Sequence, residues 1–354
     1  MRRIILTGGG SAGHVVPHLA LLPHLRKSFD KIYYIGSHDG IEKKIIAQQA
    51  PGVEYFSVAT AKLRRSFDVR NLAIPFKLLK GISEAKRILK KLKPDIVFSK
   101  GGFVAYPVVR AAAKLGIPVV AHESDMTMGL ANKLCAKYCK VICTTFRKTA
   151  CQPKAVYTGG PIREDIYNGI PIKIERRHGL KGDKGNLLVF GGSLGATKIN
   201  ETIREALPNL NYNVIHITGK GKVADIKREG YIQLEFVNDI QNYFAWADVV
   251  VSRAGSNAMC ELLVLKKPTL FVPLATGRGD QIENAKEVLN HNAAAVLWEG
   301  ELTAESLVKQ VNDIYKNRER YSRNTANMGE LDGTKKIAEI ITKTAETFAK
   351  TPKI

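Results

Sequence analysis

Short apolar runs alternate with amphipathic segments along the whole chain. The apolar runs predict strands. In the first half of the chain they are IILTG, KIYYIGS, VEYFSV, DIVFSKG, IPVVAHE, KVICTTF and AVYTG, and in the second half they are NLLVFGG, NVIHITG, IQLEFV, DVVVSRAG, TLFVPL and AAVLW. Runs that are apolar at nearly every position are typical of parallel strands buried on both faces. Because one open sheet of so many strands would be unusually large, the pattern predicts an α/β protein with two doubly wound, Rossmann-like domains.

The two halves begin in the same way, which supports the count of two domains. GGGSAG follows the first strand of the first half, and GGSLGA at 191–196 follows the first strand of the second half. The polar stretch at 168–185 has the composition of a linker. We expect a first domain at 1–159 and a second at 160–330, with a C-terminal helix at about 331–354 that packs back on the first.

Composition limits the class of protein. The 354 residues are 45% hydrophobic, as in globular proteins with full cores. No apolar run approaches the roughly 20 residues of a membrane-spanning helix, and the N-terminus enters a strand without a signal peptide, so a cytosolic location is expected. Cys135, Cys139 and Cys143 are spaced four apart without a Cys-x-x-Cys pair or a nearby histidine, which favours reduced, buried thiols over a metal site.

The net charge of +21 is concentrated in the first half of the chain. Residues 1–158 hold 27 Lys and Arg against 9 Asp and Glu, a balance of +18, whereas residues 159–354 hold 27 against 24, a balance of +3. A one-sided basic excess indicates a polyanionic partner, either nucleic acid or an anionic membrane. A solvated basic surface without a partner is the alternative.

The glycine-rich segment GGGSAGH at 8–14 follows the first strand and opens a helix. It matches G-x-G-x-x-G, but a Walker phosphate loop is excluded because His14, not Lys, follows the last glycine. NAD or FAD binding is disfavoured, since the second strand ends without the acid that would hold a ribose. A glycine turn before a helix also exposes backbone N–H groups to an anionic ligand. Since GGSLGA repeats the turn, two such sites are expected to face an inter-domain cleft.

His14 is predicted to lie in the first turn of that helix. The helix dipole there disfavours an imidazolium, so a neutral ring that accepts a proton is one interpretation, and a capping or packing histidine is the other. His18 and His24 are expected to be structural. Further polar motifs follow later strands: SKGGFVAYP at 99–107, AHESDMTMG at 121–129, GGPIRED at 159–165, SRAGSNAMCELL at 252–263 and ATGRGDQIENA at 275–285.

These segments, in this order and spacing, resemble the MurG family of glycosyltransferases over essentially the whole chain. The resemblance implies the GT-B fold, two Rossmann-like domains with an inter-domain cleft, and transfer of N-acetylglucosamine from UDP-GlcNAc to lipid I. The second domain would bind the donor through Arg163, Ser193, Val237, Glu261 and Gln281, with Val237 near the uracil, Glu261 at the ribose hydroxyls and Gln281 at the sugar.

In the first domain the resemblance assigns Ser11, Ala12 and Gly13 to the donor across the cleft, and His14 to the general base. Two positions depart from many members of the family. His-Glu-Ser-Asp replaces His-Glu-Gln-Asn at 122–125, so a carboxylate at Asp125 would replace an amide contact to the sugar. Leu194 stands in the second glycine turn where many relatives have glutamine.

The resemblance implies an inverting displacement through an oxocarbenium-like transition state. The chain has no Asp-x-Asp motif, so no metal and no other cofactor is expected. Instead, the helix start at Ser193 and Arg163 would stabilise the leaving diphosphate.

The basic excess is centred on residues 62–93, which carry 11 basic and 2 acidic residues with Leu72, Ile74, Phe76, Leu78 and Leu79 among them. Such a segment suits peripheral binding to an anionic, cytoplasmic membrane surface, although an ordinary amphipathic helix would share the pattern. The expected partners are UDP-GlcNAc, lipid I, that membrane surface and other cell-wall synthesis or division proteins.

Three other functions remain as alternatives. A UDP-GlcNAc 2-epimerase would share the fold but would need no membrane patch, and a diacylglycerol glycosyltransferase would differ in its acceptor loops. A nucleic-acid-binding protein would explain the charge, but it predicts exposed aromatics among the basic residues or a known binding module, and neither is evident, so no nucleic acid is expected as a partner.

Overall fold

The computed structural model of the protein describes residues 1–61, 74–180, 182–192, 195–276 and 279–349. The chain divides into two compact units. The first consists of Met1–Arg163 together with Asp332–Ile354, and the second of Glu164–Leu331. Each unit is built on a single parallel sheet covered by helices, so the predicted α/β class of two doubly wound domains is confirmed.

The first unit contains a sheet of seven parallel strands in the order β3-β2-β1-β4-β5-β6-β7 over its described residues. The strands are β1 Arg3–Thr7, β2 Lys31–Gly36, β3 Glu54–Ser57, β4 Ile96–Ser99, β5 Val119–Glu123, β6 Val141–Thr144 and β7 Ala155–Tyr157. The helices are α1 Val16–Leu25, α2 Ile41–Gln49, α3 Ile74–Leu92, α4 Ala105–Lys114, α5 Leu130–Ala136 and, from the end of the chain, α13 Thr334–Ala349.

Strand β1 shows why these apolar runs form central strands. Ile4 and Leu6 face a core shared with α1 and α13, whereas Ile5 faces a second core shared with α3 and α4. All three side chains have no exposed surface. A strand covered on both sides buries successive side chains on both faces, and its central residues are therefore apolar without alternation.

The last helix completes the first of these cores. Ile337 and Ile341 of α13 are fully buried among the same residues as Leu21 and Leu25 of α1. The chain returns to this unit through a parallel bridge between Gly160 and Asp332. The C-terminal helix therefore packs on the helix that follows the first glycine turn.

The second unit contains a sheet of six parallel strands in the order β10-β9-β8-β11-β12-β13 over its described residues. The strands are β8 Gly185–Phe190, β9 Tyr212–Ile217, β10 Tyr231–Leu234, β11 Val249–Ser252, β12 Thr269–Phe271 and β13 Ala295–Val296. The helices are α6 Ile172–His178, α7 Thr197–Ala206, α8 Ile240–Trp246, α9 Ser256–Val264, α10 Asp280–Asn290, α11 Ala304–Lys316 and α12 Arg318–Asn324. Helices α7 and α11 pack together on one face of this sheet.

Among the described residues, no helix has both the length and the apolar composition that crossing a membrane would require.

Candidate functional site

The first sheet reverses its strand order between β1 and β4, its two central neighbours. In open parallel sheets, ligands bind beyond the carboxyl ends of the strands at this reversal. Three polar loops leave the sheet here, at 8–14 after β1, at 100–104 after β4 and at 124–129 after β5. They place five of the predicted site residues at the same edge of the first unit: Ser11, Ala12, Gly13, His14 and Asp125.

The loops after β1 and β4 pack directly on each other. Gly10 has φ +87°, and a Cβ at that position would lie 2.4 Å from the ring of Phe103. Gly102 has φ +76°, and its Cβ would lie 2.2 Å from the carbonyl oxygen of Gly9. Only glycine fits either position, because both the backbone angle and the space exclude a side chain. The loops after β1 and β4 therefore form one continuous surface.

His14 lies just before α1 and not in its first turn. It ends a short 3-10 turn at Ala12–His14, and α1 begins only at Val16, so the prediction that His14 occupies the first turn of the helix is wrong. The chain makes a tighter 3-10 turn before the helix, and a side chain of the same loop orients the ring. The hydroxyl of Ser11 lies 2.8 Å from Nδ1 of His14.

This contact has a chemical consequence for the imidazole. When Nδ1 of His14 carries the ring proton, it donates to the hydroxyl oxygen of Ser11, and Nε2 keeps a lone pair that can accept a proton. His14 is half-buried, so the ring is held against the loop and remains accessible to a substrate. Ser11 thus fixes the direction of this ring, and its hydroxyl can pair with Nδ1 in either tautomer.

Beneath the loop lies a buried basic cluster that the sequence did not predict. The Lys100 side chain is 2% exposed, and its Nζ lies 2.6 Å from Nδ1 of His122 and within hydrogen-bond distance of the Ser124 hydroxyl. Nε2 of His122 donates to the carbonyl oxygen of Gly159 at 3.1 Å, so Nδ1 is the acceptor for the ammonium and the ring is neutral. Burial, and then the charge of Lys100, hold the pKa of His122 well below its usual value.

His18 is a second neutral histidine below the loop. Its fully buried ring meets Tyr34 and Phe98 edge-on, at 5.3 and 5.6 Å between ring centroids. Burial, then the charge of Lys100 and that of a protonated His14, lower the pKa of His18 well below the usual value. A buried aromatic environment of this kind matches the expectation that His18 is structural.

Glu123 closes the loop that carries Asp125. Its two carboxyl oxygens accept hydrogen bonds from the backbone N–H groups of Asp125 at 3.1 Å and Gly129 at 2.9 Å, and from the side-chain amide of Asn132 at 2.9 Å. Burial raises the pKa of Glu123, and these hydrogen bonds oppose that effect. In the sequence only Asp125 of the HESD motif has a predicted role, but its half-buried position depends on the glutamate two residues earlier.

In the second unit the strand order reverses between β8 and β11, and the predicted residues follow neighbouring strands. Val237 lies in the loop after β10, Glu261 is half-buried in the second turn of α9 after β11, and Gln281 is in the first turn of α10 after β12. Ser193 and Leu194 lie outside the described residues, so the expectations for them remain predictions.

The loops around Glu261 and Gln281 are fixed by a buried ion pair. Arg253, 8% exposed, pairs with the carboxylate of Glu299 and donates to the carbonyl oxygen of Val272 at 3.1 Å. The same carboxylate accepts the N–H of Ala275 at 3.3 Å. These contacts tie the loop after β11 to the loop after β12, and sequence reasoning missed them because Arg253 and Glu299 are 46 residues apart.

Gln281 and Val237 each have an anchored backbone nearby. The carbonyl oxygen of the Gln281 side chain accepts the N–H of Leu274 at 3.0 Å, which leaves its amide group to act as a donor. Two residues after Val237, Asp239 makes a bidentate contact with Arg177 of α6 at 2.8 and 3.1 Å. Hydrogen bonding to Arg177 holds the pKa of Asp239 below its usual value.

Arg163 is the last residue of the first unit's long segment. The preceding N–H, of Ile162, donates at 2.8 Å to the hydroxyl of Thr334 at the start of α13, and that hydroxyl lies 3.0 Å from the carbonyl oxygen of Ile162. Arg163 is half-buried, so its backbone is anchored while part of the side chain reaches solvent. Over the described part of the chain, no three His, Cys, Asp or Glu side chains group as metal ligands would.

The buried histidines predict loss of stability in acid. We expect the free energy of unfolding to fall below about pH 6.5, because His18, His122 and His216 would take up protons there only in the unfolded chain. Burial, and then the charge of Arg204, lower the pKa of His216 to about 3. The pKa of each histidine is lower in the folded protein than in the unfolded chain. The free energy of unfolding is therefore highest above the pKa of the unfolded chain, and it decreases as the pH falls below that value, by up to about 1.4 kcal/mol per pH unit for each group.

Urea unfolding at pH 7.5, 6.0 and 5.0 measures this dependence. His216→Gln should reduce the slope, because glutamine can still bond to Asn200 and Tyr231 without gaining a charge in the unfolded state. His38→Gln, at an exposed position, serves as the matched control. An unfolding free energy that does not change over this range would contradict the assignment.

Two family models match the chain. The glycosyltransferase family 28 N-terminal domain matches residues 4–144, and the glycosyltransferase family 28 C-terminal domain matches residues 186–342. Among curated relatives, the UDP-N-acetylglucosamine–N-acetylmuramyl-(pentapeptide) pyrophosphoryl-undecaprenol N-acetylglucosamine transferase of Clostridium botulinum is 48% identical over 97% of this chain and 99% of its own. The protein of the same name from Lachnoclostridium phytofermentans is 45% identical over 96% and 98%.

Solved structures give the same fold. MurG of Acinetobacter baumannii superposes with a TM-score of 0.75 and 27% identity, over 97% of this chain and all of that one. The UDP-GlcNAc 2-epimerase of Neisseria meningitidis superposes with a TM-score of 0.69 over 98% of this chain and all of its own, but at 13% identity it bears on the fold alone.

Proposed function

The chain belongs to the MurG family of glycosyltransferases, and from that premise we propose that it transfers N-acetylglucosamine from UDP-GlcNAc to lipid I. The C4 hydroxyl of N-acetylmuramic acid, carried on undecaprenyl diphosphate, attacks the anomeric carbon with inversion, and the product is lipid II. The observation that carries this function is identity of 45% to 48% over nearly the whole chain with transferases named for this donor and acceptor. The enzyme is therefore a hexosyltransferase of peptidoglycan synthesis, consistent with a role in cell shape and division.

His14 is the proposed general base. The attacking hydroxyl must lose its proton as the new glycosidic bond forms, and a histidine has a pKa suited to that transfer near neutral pH. Support comes from the Ser11 contact at 2.8 Å to Nδ1, which orients the ring, and from the position of the ring at the carboxyl edge of the sheet. In the tautomer that carries its proton on Nδ1, Nε2 is the atom that accepts the proton.

The departing UDP needs stabilisation of its developing negative charge. We assign this role to Arg163 and to the glycine turn at 191–196, which carries Ser193 and leads to the start of α7. Backbone N–H groups and a guanidinium supply positive charge of the kind that a diphosphate needs. In this proposal the leaving group departs without a metal ion.

The donor's other groups are assigned to the second unit. Glu261 would accept hydrogen bonds from the ribose hydroxyls, the backbone at Val237 would recognise the uracil, and the amide of Gln281 would donate to the sugar. The hydrogen bond from Leu274 to the carbonyl of Gln281 supports the last role, because it orients the amide group. In the first unit, Ser11, Ala12 and Gly13 would contact the donor, and Asp125 would offer a carboxylate to the sugar.

Replacing Glu261 by alanine should weaken donor binding selectively. A carboxylate that accepts two hydroxyl hydrogen bonds contributes about 1.5–3 kcal/mol, so the KM for UDP-GlcNAc should rise roughly 10- to 100-fold while the KM for the acceptor changes little. Steady-state kinetics with each substrate varied separately measures the effect. Glu305→Ala, an exposed position in the first turn of α11, is the matched control. An unchanged KM for UDP-GlcNAc would remove Glu261 from the ribose site.

Helix α3 is the proposed contact with the cytoplasmic face of the membrane. Phe76 and Leu79 are 75% and 66% exposed and are three residues apart, so they share a face of the helix. Lys77 and Lys80 flank them, and α3 carries four further basic residues towards its end. Exposed apolar side chains among basic ones suit an anionic lipid surface. Residues 62–73 of the predicted segment lie outside the described residues.

The function is tested by incubating the protein with UDP-GlcNAc and a lipid I analogue. We expect equal amounts of UDP and of the disaccharide-containing lipid product. Conversion of UDP-GlcNAc to UDP-N-acetylmannosamine in the absence of acceptor would instead indicate the epimerase. Release of UDP without a disaccharide would contradict the proposed transfer, and product formed on diacylglycerol would reassign the acceptor.

A further inference from the structure

A buried carboxylate lies directly beneath the loop that carries His14. Glu42, in the first turn of α2, has no exposed surface. One of its oxygens accepts hydrogen bonds from the N–H of Ser37, at 3.0 Å, and from the Ser37 hydroxyl, and the other accepts the N–H of Gly10 at 3.2 Å. Because burying a carboxylate is costly unless donors surround it, its position depends on these contacts.

Two glycines next to the Glu42 carboxylate leave room for it. A Cβ at Gly9 would lie 2.6 Å from Cδ of Glu42, and a Cβ at Gly40 would lie 2.1 Å from its Oε1. Gly40 has φ −76° and ψ 159°, which any residue can adopt, so its lack of a side chain matters for space rather than for backbone angle. Glycines from two separate segments thus make room for one side chain.

The contacts of Glu42 lead by covalent and hydrogen bonds to His14. Gly10, which donates to Glu42, is followed by Ser11, whose hydroxyl lies 2.8 Å from Nδ1 of the histidine. Ser37, the other partner of Glu42, directly follows β2, the strand next to β1, and its carbonyl oxygen accepts the hydroxyl of Tyr55 at 2.6 Å. The carboxylate therefore ties the first glycine turn to a rigid strand end.

We propose that Glu42 is a positioning residue for the transfer reaction, which fixes the backbone at Gly10 and thereby the Ser11–His14 pair. This inference rests on the proposed role of His14 as the base. An acidic residue in the first turn of a helix also stabilises that helix through the dipole. The described hydrogen bonds of Glu42, however, go to the loop and to Ser37 rather than to the amides of α2, and these bonds are what the proposal depends on.

Glu42→Gln separates the hydrogen bonds to Ser37 from the hydrogen bond to Gly10. The amide oxygen of glutamine can still accept both bonds from Ser37, but its NH₂ group then faces the N–H of Gly10, so that contact is lost. Gly40→Ala displaces the carboxylate without removing it. Asp95→Asn is the matched control, because Asp95 accepts the N–H of Arg3 at 2.7 Å at the opposite end of β1.

We expect these variants to lose turnover because His14 is displaced. Glu42→Gln should lower kcat roughly 10- to 100-fold, as displacement of a reacting group does, with a small change in the KM for UDP-GlcNAc. Gly40→Ala should give a smaller loss of the same kind, and Asp95→Asn should leave kcat near that of the wild type. In the His14→Ala background, Glu42→Gln should cause little further loss, because the residue it positions is absent.

A second readout does not depend on activity. Nitrogen-15 spectra of the imidazole of His14 report which ring nitrogen carries the proton, and Glu42→Gln should shift them while Asp95→Asn should not. If the spectra shift but His14→Ala retains normal turnover, the positioning by Glu42 stands and the base assignment fails. Unshifted spectra, or an equal loss of kcat with and without His14, would overturn the proposal for Glu42.

Discussion

His14→Ala is expected to lower kcat by about 10²- to 10⁴-fold, the usual contribution of a general base. The KM for UDP-GlcNAc should change little, because the ring is assigned to the acceptor hydroxyl and not to the nucleotide. The circular dichroism spectrum and the urea midpoint should remain close to those of the wild type, since His14 is half-buried and ends a short 3-10 turn. Single-turnover assays with a lipid I analogue measure the chemical step directly.

Two further variants sharpen this test. Ser11→Ala keeps the imidazole but removes its partner at 2.8 Å, so we expect an intermediate loss of kcat from a ring that samples both tautomers. His24→Ala, at the end of α1, is the matched histidine control and should retain its turnover. Near-normal turnover in a folded His14→Ala protein would remove this residue from the base role.

Removing the apolar side chains of α3 should release the protein from anionic vesicles. Phe76→Ser combined with Leu79→Ser deletes two exposed side chains, each of which would contribute about 1.5–3 kcal/mol if buried in lipid, so binding should weaken by at least about 10²-fold. Turnover on a short, water-soluble acceptor should be preserved, because neither side chain is assigned to the reaction. Vesicle sedimentation measures binding, and Leu289→Ser, at an exposed site in the second unit, is the control.

Vesicles of different lipid composition separate the electrostatic part of membrane binding from the apolar part. The basic residues of α3 should make binding strongest on anionic vesicles and weaken it as salt is raised, since each contributes about 1 kcal/mol near a charged surface. Equal binding to neutral and anionic vesicles would contradict the electrostatic part. Unchanged binding of the double variant would show that the surface lies elsewhere in the first unit.

The sequence predicted the architecture well because the strands and the turns after them each have a local sequence pattern. A strand such as β1, buried on both faces, is apolar at its three central positions, and each glycine turn follows a strand end directly. The same patterns place Ser11, Ala12, Gly13, His14 and Asp125 at one sheet edge. The 3-10 turn at Ala12–His14 was missed, because the periodicity of the following helix does not reveal where its regular geometry begins.

The supporting contacts of the site could not be read from the sequence. Lys100 and His122 meet because β4 and β5 are neighbours in the sheet, and Arg253 reaches Glu299 across 46 residues. Glu42 is a lone glutamate in an ordinary helical segment, and only the fold shows that it is buried under a loop 32 residues earlier. Long-range pairs of this kind depend on which strands lie side by side, which no local pattern encodes.

The return of α13 to the first unit has a consequence for synthesis on the ribosome. The core around Leu21 and Leu25 stays incomplete until residues 334–349 have emerged, whereas the second unit is continuous in the chain and can close earlier. The nascent protein would thus finish its second unit before its first, the reverse of the usual amino-to-carboxyl order of domain folding. A chain that stalls near its end would therefore leave α1, the helix that follows His14, without the helix that packs on it.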